Sequence, residues 1–487
     1  MLALSSTLQV LSVASEIYPL VKTGGLADVT GALPGALAAE NVAVSSLVPG
    51  YPSVMRALEK AASTAEWLDF FGGRARILRG TAAGLQLFVL DAPHLFDREG
   101  NPYSAPDRHD WPDNPRRFAA LSYAAARIGR GAVPGYAPDV VHAHDWQAGL
   151  APAYLHYAPG ARPATVMTVH NLAFQGQVPA QMLGELRLPP HAYAIDGVEY
   201  YGSIGMLKAG LALADRITTV SPTYAEEICT PAGGMGMVGL LRSRAKVLSG
   251  ILNGIDISAW DPSNDRHLPA PFSAASLDKR RANKVALQAR MNLAPRPRAL
   301  LFGVISRLTH QKGMDFMLAN LRTMLAQGAQ LAVLGAGDAD LQQALADAAR
   351  DHPGRVAIAT GMDEALAHLI QAGSDAILVP SRFEPCGLTQ LCALRYGAIP
   401  IVSRVGGLAD TVIDANEAAR AAGCATGIMF APANAAGLRG AIHRAAALWR
   451  DASDWRGMQQ AAMQSDVSWA GPARRYAALY RECLKSK

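Results

Sequence analysis

Six short apolar runs spaced through the second half of the chain constrain its fold more than any other feature. They cover residues 299–305, 330–334, 355–359, 375–379, 399–403 and 427–430, and helical patterns separate most of them. Buried strands alternating with helices at this spacing predict a parallel, doubly wound α/β sheet. The first half carries similar runs at 8–14, 42–48, 85–90, 139–143, 165–169 and 217–220, joined by longer connections. One connection, 91–113, is rich in Pro, Asp and His and reads as a long loop. Residues 206–214 read as helix, and Ser221 before Pro222 reads as the cap of another. A chain of 487 residues exceeds one ordinary core. Asn253-Gly254 marks a turn, and a polar, proline-punctuated stretch follows it, with a helix near 278–290. Two α/β domains are therefore expected, 1–255 and 256–487, with a break at Gly471-Pro472 that lets a final helix, 472–487, leave the second.

The polar motifs fall just after those strands, where open α/β sheets bind their ligands. Two such sheets face to face would put both sets of loops on one deep cleft. The sequence KTGGLADV at 22–29 follows the first strand. Gly24 and Gly25 let backbone N–H groups approach a ligand, the following helix offers its positive end, and Lys22 adds a point charge. That reads as a phosphate seat, or as a glycine turn packed for its own sake. The letters GGLAD recur at 406–410, which reads as one local solution used twice rather than a duplicated domain.

Arg307 and Lys312, in SRLTHQKG, suit a diphosphate: a guanidinium fork at a strand end and an ammonium beside a helix start. Together they could hold the charge of a departing diphosphate without a metal. Glu384, in PSRFEPCGLTQ, can grip sugar hydroxyls while the N–H groups of Cys386, Gly387 and Leu388 meet phosphate. His170 and Asn171 end a strand, and the imidazole reads as a general base, a hydroxyl donor or a satisfied core group. His142, His144 and Asp145, in VHAHDW, place two imidazoles on one strand face, but no third metal ligand is evident. Positioning roles are expected there, with Asp145 and Trp146 in the cleft. Gly335 and Gly337 follow a strand without the third glycine of a dinucleotide fingerprint.

A net charge of +5, with no basic run, gives no footprint for nucleic acid. Five scattered cysteines without a CxxC pair fit a reducing compartment rather than a disulfide frame or a zinc site. The opening residues lack the positive region of a secretory leader, and no apolar run suits a membrane span. A cytoplasmic protein is expected.

KTGGLADV, HAHDW, TVHN, SRLTHQKG, LGAGD, SRFEPCGLTQ and GGLADTV occur here in the order seen in bacterial glycogen synthases and plant starch synthases. The chain resembles that family from about Gln9 to Tyr480. The resemblance implies a GT-B fold of two Rossmann-like domains, with a C-terminal helix crossing back to the first. It also implies metal-independent, retaining transfer of glucose from ADP-glucose to the non-reducing end of an α-1,4-glucan such as glycogen, with no cofactor. It assigns Lys22 to the donor, Arg307 and Lys312 to its diphosphate, and His170 and Glu384 to the transferred glucose. Cys386 to Thr389 form the adjoining loop, Asp145 and Asn253 are polar cleft positions, and Asp28 and Trp146 lie toward the acceptor. Gln147 stands where family members often have histidine, and Cys392 where the wider class often has a ribose-gripping Glu. No nucleophile is evident opposite the leaving group, so front-face displacement is expected.

Overall fold

The computed structural model describes residues 7–107 and 109–485; residues 1–6, weighed above as part of a leader, and 486–487 lie outside the described residues. The chain divides into two compact units, Met1–Asn253 with Trp469–Lys487, and Gly254–Ser468.

The first unit is built on a nine-stranded sheet. Its strand order is Leu248–Gly250, Arg216–Thr219, Ala164–Val169, Val140–His144, Leu8–Val13, Val42–Pro49, Leu85–Asp91, Ala75–Ala82 and Glu59–Trp67. Every pairing from the first of these to Leu85–Asp91 is parallel. Parallel strands are covered on both faces, so they read as near-continuous apolar runs. The last two strands run antiparallel and lie outside those runs. Glu59–Trp67 is a largely exposed edge with no apolar alternation to reveal it. Ala75–Ala82 reaches it by a hairpin from Leu85–Asp91, whose Ala83-Gly84 turn has φ of 49° and 78°. Both values match the twist of a tight hairpin.

The 91–113 connection is more ordered than its composition predicts. It holds a short helix, Pro93–Phe96, and the Ser104–Asp110 bridge. Arg117, 1% exposed, pins it by donating to the carbonyls of Leu95 and Pro102 and to Asn114 Oδ1. Ser221 caps its helix as expected, accepting from the Tyr224 N–H at 3.0 Å. The break expected at Gly471-Pro472 falls slightly earlier, between the helices Ala452–Gln464 and Ala470–Lys485, and the last of these is grouped with the first unit. Pro472 stands in the first turn, where an N–H has no intrahelical acceptor to lose. The helix buries Tyr476, Ala477 and Tyr480 in one apolar cluster with Val10, Val29 and Leu33.

The second unit is a six-stranded, wholly parallel sheet in the order Val356–Thr360, Gln330–Gly335, Leu301–Ile305, Ala376–Val379, Ile399–Ser403 and Ile428–Phe430. Each of the six apolar runs becomes one of these strands. Helices between them, including Glu364–Gly373 and Thr389–Tyr396, complete the doubly wound pattern.

Candidate active site

In the second unit the loops after two adjacent parallel strands meet in one ion pair. Lys312 follows the strand Leu301–Ile305, and Glu384 follows Ala376–Val379. Their Nζ and Oε2 lie 2.6 Å apart, and both side chains are largely buried. Ser381 Oγ donates to the same carboxylate oxygen at 2.8 Å. The next residue, Gly313, adopts φ of 69° and lies so close to Pro380 that a Cβ would stand 2.0 Å from its carbonyl oxygen. Arg382 ties the two loops further, pairing with both Asp315 oxygens at 2.7 Å while lying over Phe316. Arg307 is exposed, and among the described residues no carboxylate pairs with it.

The glycines around these loops are spacers. Gly335 ends a strand where a Cβ would meet Ser306 O at 1.9 Å, and at Gly337 it would meet Leu308 O at 2.2 Å. The Leu308 N–H donates to Ala336 O at 2.9 Å, and the Asp338 N–H to Leu308 O at 2.8 Å. The Gly335–Gly337 turn therefore props the Arg307 loop. Gly406 and Gly407 do the same for the Glu384 loop. A Cβ on them would stand 2.1 Å from Glu384 O and 2.4 Å from Cys386 Cα, and the Gly407 N–H donates to Glu384 O. Gly387 has φ of 76°, and Gln390 closes the loop beneath it by donating to the carbonyls of Cys386 and Gly387 at 3.0 Å. Thr389 opens the next helix and donates through its hydroxyl to Ile305 O at 3.3 Å.

Both GGLAD copies open a helix at a glycine, Gly25–Ala38 and Gly406–Thr411, but the first meets a side-chain carboxylate where the second meets a backbone carbonyl. Buried Glu16 accepts from the N–H groups of Thr23 and Gly24, from the Thr23 hydroxyl at 2.6 Å, and from the Tyr103 hydroxyl. A carboxylate of the chain itself thus stands at the start of the helix Gly25–Ala38, where an anion is stabilised. Lys22 Nζ bonds Asp28 Oδ1 at 2.6 Å. Burial raises the Asp28 carboxyl above its ordinary range, against the pull of Lys22.

The remaining candidates of the first unit form a chain of imidazoles. His170 Nε2 lies 3.0 Å from His144 Nδ1, and His144 Nε2 lies 3.2 Å from Ser12 Oγ. His142 is engaged on both nitrogens, by Tyr480 at 2.8 Å and Thr168 at 2.6 Å, so VHAHDW forms a hydrogen-bond ladder rather than a metal centre. Burial drops His142 and His170 to about 3 and holds His144 well below the ordinary range. All three rings are neutral near pH 7, which suits His170 to hydrogen bonding rather than proton release. Trp146 packs edge-on against Phe118 at 5.0 Å, and Gly176, where a Cβ would meet the indole at 2.4 Å, makes room for it.

Asp145 sits in the left-handed region with φ of 55° and is buried. Its Oδ1 accepts from the His170 N–H at 2.7 Å and the Asn171 N–H at 3.4 Å. Burial pushes its carboxyl up to about 7, and the two N–H groups only partly oppose this. A pKa raised on folding contributes stability that is complete below the unfolded value and is lost as pH rises through the folded one. Between the ordinary carboxyl value of 3.8 and about 7, wild-type stability should therefore fall relative to Asp145→Asn. The difference should decline by up to about 1.4 kcal/mol per pH unit, read by denaturant melts. A difference that stays flat across this window would show that the carboxyl titrates normally.

Residues 9–243 match the model of the starch synthase catalytic domain, and residues 299–447 that of glycosyl transferases group 1. A glycogen synthase of Methylocella silvestris is 59% identical over 99% of this chain and 100% of its own length. The chain belongs to the glycogen synthase family. A second glycogen synthase, of Acidiphilium cryptum, is 61% identical over 97% of this chain and 99% of its own. The catalytic domain of starch synthase IV from Arabidopsis thaliana, bound to ADP and acarbose, superposes with a TM-score of 0.88. It is 31% identical and covers 99% of this chain and 100% of its own. The fold is GT-B, and the protein is a glycosyltransferase.

The two positions that depart from the expected motifs, one from the wider class and one from the family, have clear structural settings. Cys392 is buried in an apolar cluster with Ile255, Leu391 and Val467, so its position faces core. Gln147 is buried, and its Oε1 has no hydrogen-bond partner among the described residues; the same holds for Asn253 Oδ1. Glu16 and Gln390 are organising residues that the sequence does not single out. A lone Glu near an N-terminal strand has no local partner to flag it, whereas Gln390 lies inside a motif already read as functional.

Proposed function

We propose that the protein transfers glucose from ADP-glucose to the non-reducing end of an α-1,4-glucan, with retention of configuration. The observation that carries this reading is the Lys312–Glu384 pair at 2.6 Å with the unpaired Arg307 after the same strand as Lys312. Two cations and a buried carboxylate on rigid loops suit a sugar diphosphate: the cations bind the diphosphate and the carboxylate accepts from a glucose hydroxyl. The second unit takes the donor in this reading, with the loop Cys386 to Thr389 and Gly335 supporting it. The first unit takes the glucan, with Asp28, Trp146, Asn171 and the unpartnered oxygens of Gln147 and Asn253 offered to sugar hydroxyls. His170 hydrogen-bonds the glucose being moved.

The transfer breaks the bond from C1 to the diphosphate oxygen and forms one from C1 to the acceptor O4 on the same face. The departing oxygen takes the acceptor proton, and ADP leaves. Arg307 and Lys312 stabilise the charge that develops. No helix of the described residues is long and apolar enough to cross a membrane.

The test is chain growth on glycogen with ADP-glucose or UDP-glucose, in EDTA, with the anomeric configuration of new linkages read by NMR. Growth with ADP-glucose and α linkages is expected. Growth only with UDP-glucose would overturn the donor, and tight ADP binding without growth would overturn the transferase reading.

A further inference from the structure

Away from these loops, the second unit brings together His267, Glu364 and His368, whose candidate ligand atoms all lie within 4.8 Å of one another. Glu364 and His368 are one helical turn apart on the helix Glu364–Gly373, and so share a face. His267 comes from a loop about a hundred residues earlier. One buried carboxylate fixes both histidines. Asp265 Oδ2 accepts from His368 Nδ1 at 2.7 Å and from the Tyr396 hydroxyl at 2.6 Å, while Oδ1 accepts from the His267 N–H at 2.8 Å. A carboxylate on Nδ1 places the proton there and leaves Nε2 of His368 as a lone-pair donor, the arrangement that orients metal-binding histidines. Trp260 stacks flat on the same ring at 3.9 Å and 5°, which fixes its plane.

We propose that His267, Glu364 and His368 bind one divalent ion of the zinc class, with Asp265 as the positioning residue behind His368. Two imidazoles and one carboxylate select borderline metals such as Zn²⁺ or Co²⁺ over Mg²⁺ or Ca²⁺. Ligand atoms of a tetrahedral zinc lie roughly 3.4 Å apart, given bonds of about 2.0–2.1 Å. The exposed Glu364 and half-buried His267 have the freedom to close that gap, while His368 is held. The cation that touches the group is Arg266, whose Nε lies 3.4 Å from His267 Nε2, a long contact that a metal displaces. The ion ties the His267 loop to a helix whose Gln371 donates to Thr389 O at 3.1 Å. Its role is structural, and it takes no part in glucosyl transfer.

Full-length protein stripped with EDTA and titrated with Co²⁺ should develop the visible absorption of a low-symmetry site at one equivalent, bleached by Zn²⁺. His267→Ala and Glu364→Gln alter accessible groups, and each should weaken Co²⁺ binding at least about tenfold without changing the circular dichroism. Zn²⁺ should raise the melting temperature of the wild type and not of His267→Ala. No Co²⁺ spectrum, or a wild-type affinity in His267→Ala, would overturn the proposal. Neither readout depends on nucleotide sugar or glucan, so it stands or falls apart from the transferase reading.

Discussion

Lys312→Ala should lower kcat by about 10²–10³-fold while raising KM for the nucleotide sugar far less, since removing one preorganised group aimed at developing charge costs about that much. The ammonium is only 19% exposed and is held by the Glu384 carboxylate at 2.6 Å. In the proposed reaction it would therefore be in place before the diphosphate begins to leave, and its attraction would grow as the bond to C1 breaks. An interaction stronger in the transition state than in the ground state appears in kcat. The substitution has a second consequence, because it leaves Glu384 buried with only Ser381 Oγ to satisfy Oε2. Breaking one side of such a pair costs several kcal/mol, on the order of 3–5.

The double variant Lys312→Ala with Glu384→Gln separates the two effects. It removes the uncompensated charge and should recover most of the stability while recovering none of the kcat. Arg307→Ala should share the kcat loss with little change in stability, because Arg307 is exposed and, among the described residues, no carboxylate pairs with it. Steady-state kinetics alongside denaturant melts read both. A rise in KM at unchanged kcat would show that the two cations bind donor and transition state equally.

The parallel sheet of the second unit was legible because its inner strands are buried almost throughout and each of the six carries its own apolar run. The hidden strands were those without such a run: Glu59–Trp67 is an edge whose residues face water. Gly471-Pro472 marked the start of the final helix to within two residues, because proline breaks a helix interior but is tolerated in a first turn, and the sequence does not say where that turn begins. Motif chemistry singled out Lys312, Glu384 and Arg307, which come from loops after adjacent strands. It did not show that the nearest partner of Lys312 is Glu384, a contact across 72 residues. Nor did it show that Glu16 occupies the N–H groups of Thr23 and Gly24. Long-range pairings of single polar residues leave no periodicity, so only the folded chain reveals them. The same holds for Asp265, whose three partners lie at 267, 368 and 396.

Gly335→Ala should lower kcat/KM by about a hundredfold although residue 335 need not touch the substrate, because a displacement near 1 Å costs about that much in a positioned site. A Cβ here would stand 1.9 Å from Ser306 O and 3.1 Å from its carbonyl carbon. Both are backbone atoms, so no side-chain rotation relieves the contact, and the segment from Ser306 to Leu308 must shift. Arg307 lies within it, and Lys312 follows it directly. The Leu308–Gly337 bridge carries the strain back into the turn that supports the loop. Gly440→Ala is the matched control: its Cβ would meet nothing within 4 Å, on the exposed face of the helix Ala435–Arg450. It should leave activity unchanged and add roughly 0.5–1 kcal/mol of stability, as alanine does in a helix interior. Kinetics at saturating glucan, with circular dichroism to establish the folded fraction, distinguish misplacement from unfolding. If folded Gly335→Ala turned over like the wild type, Ser306 to Leu308 would be free to move without consequence. Arg307 would then act as a long-range charge rather than a placed donor.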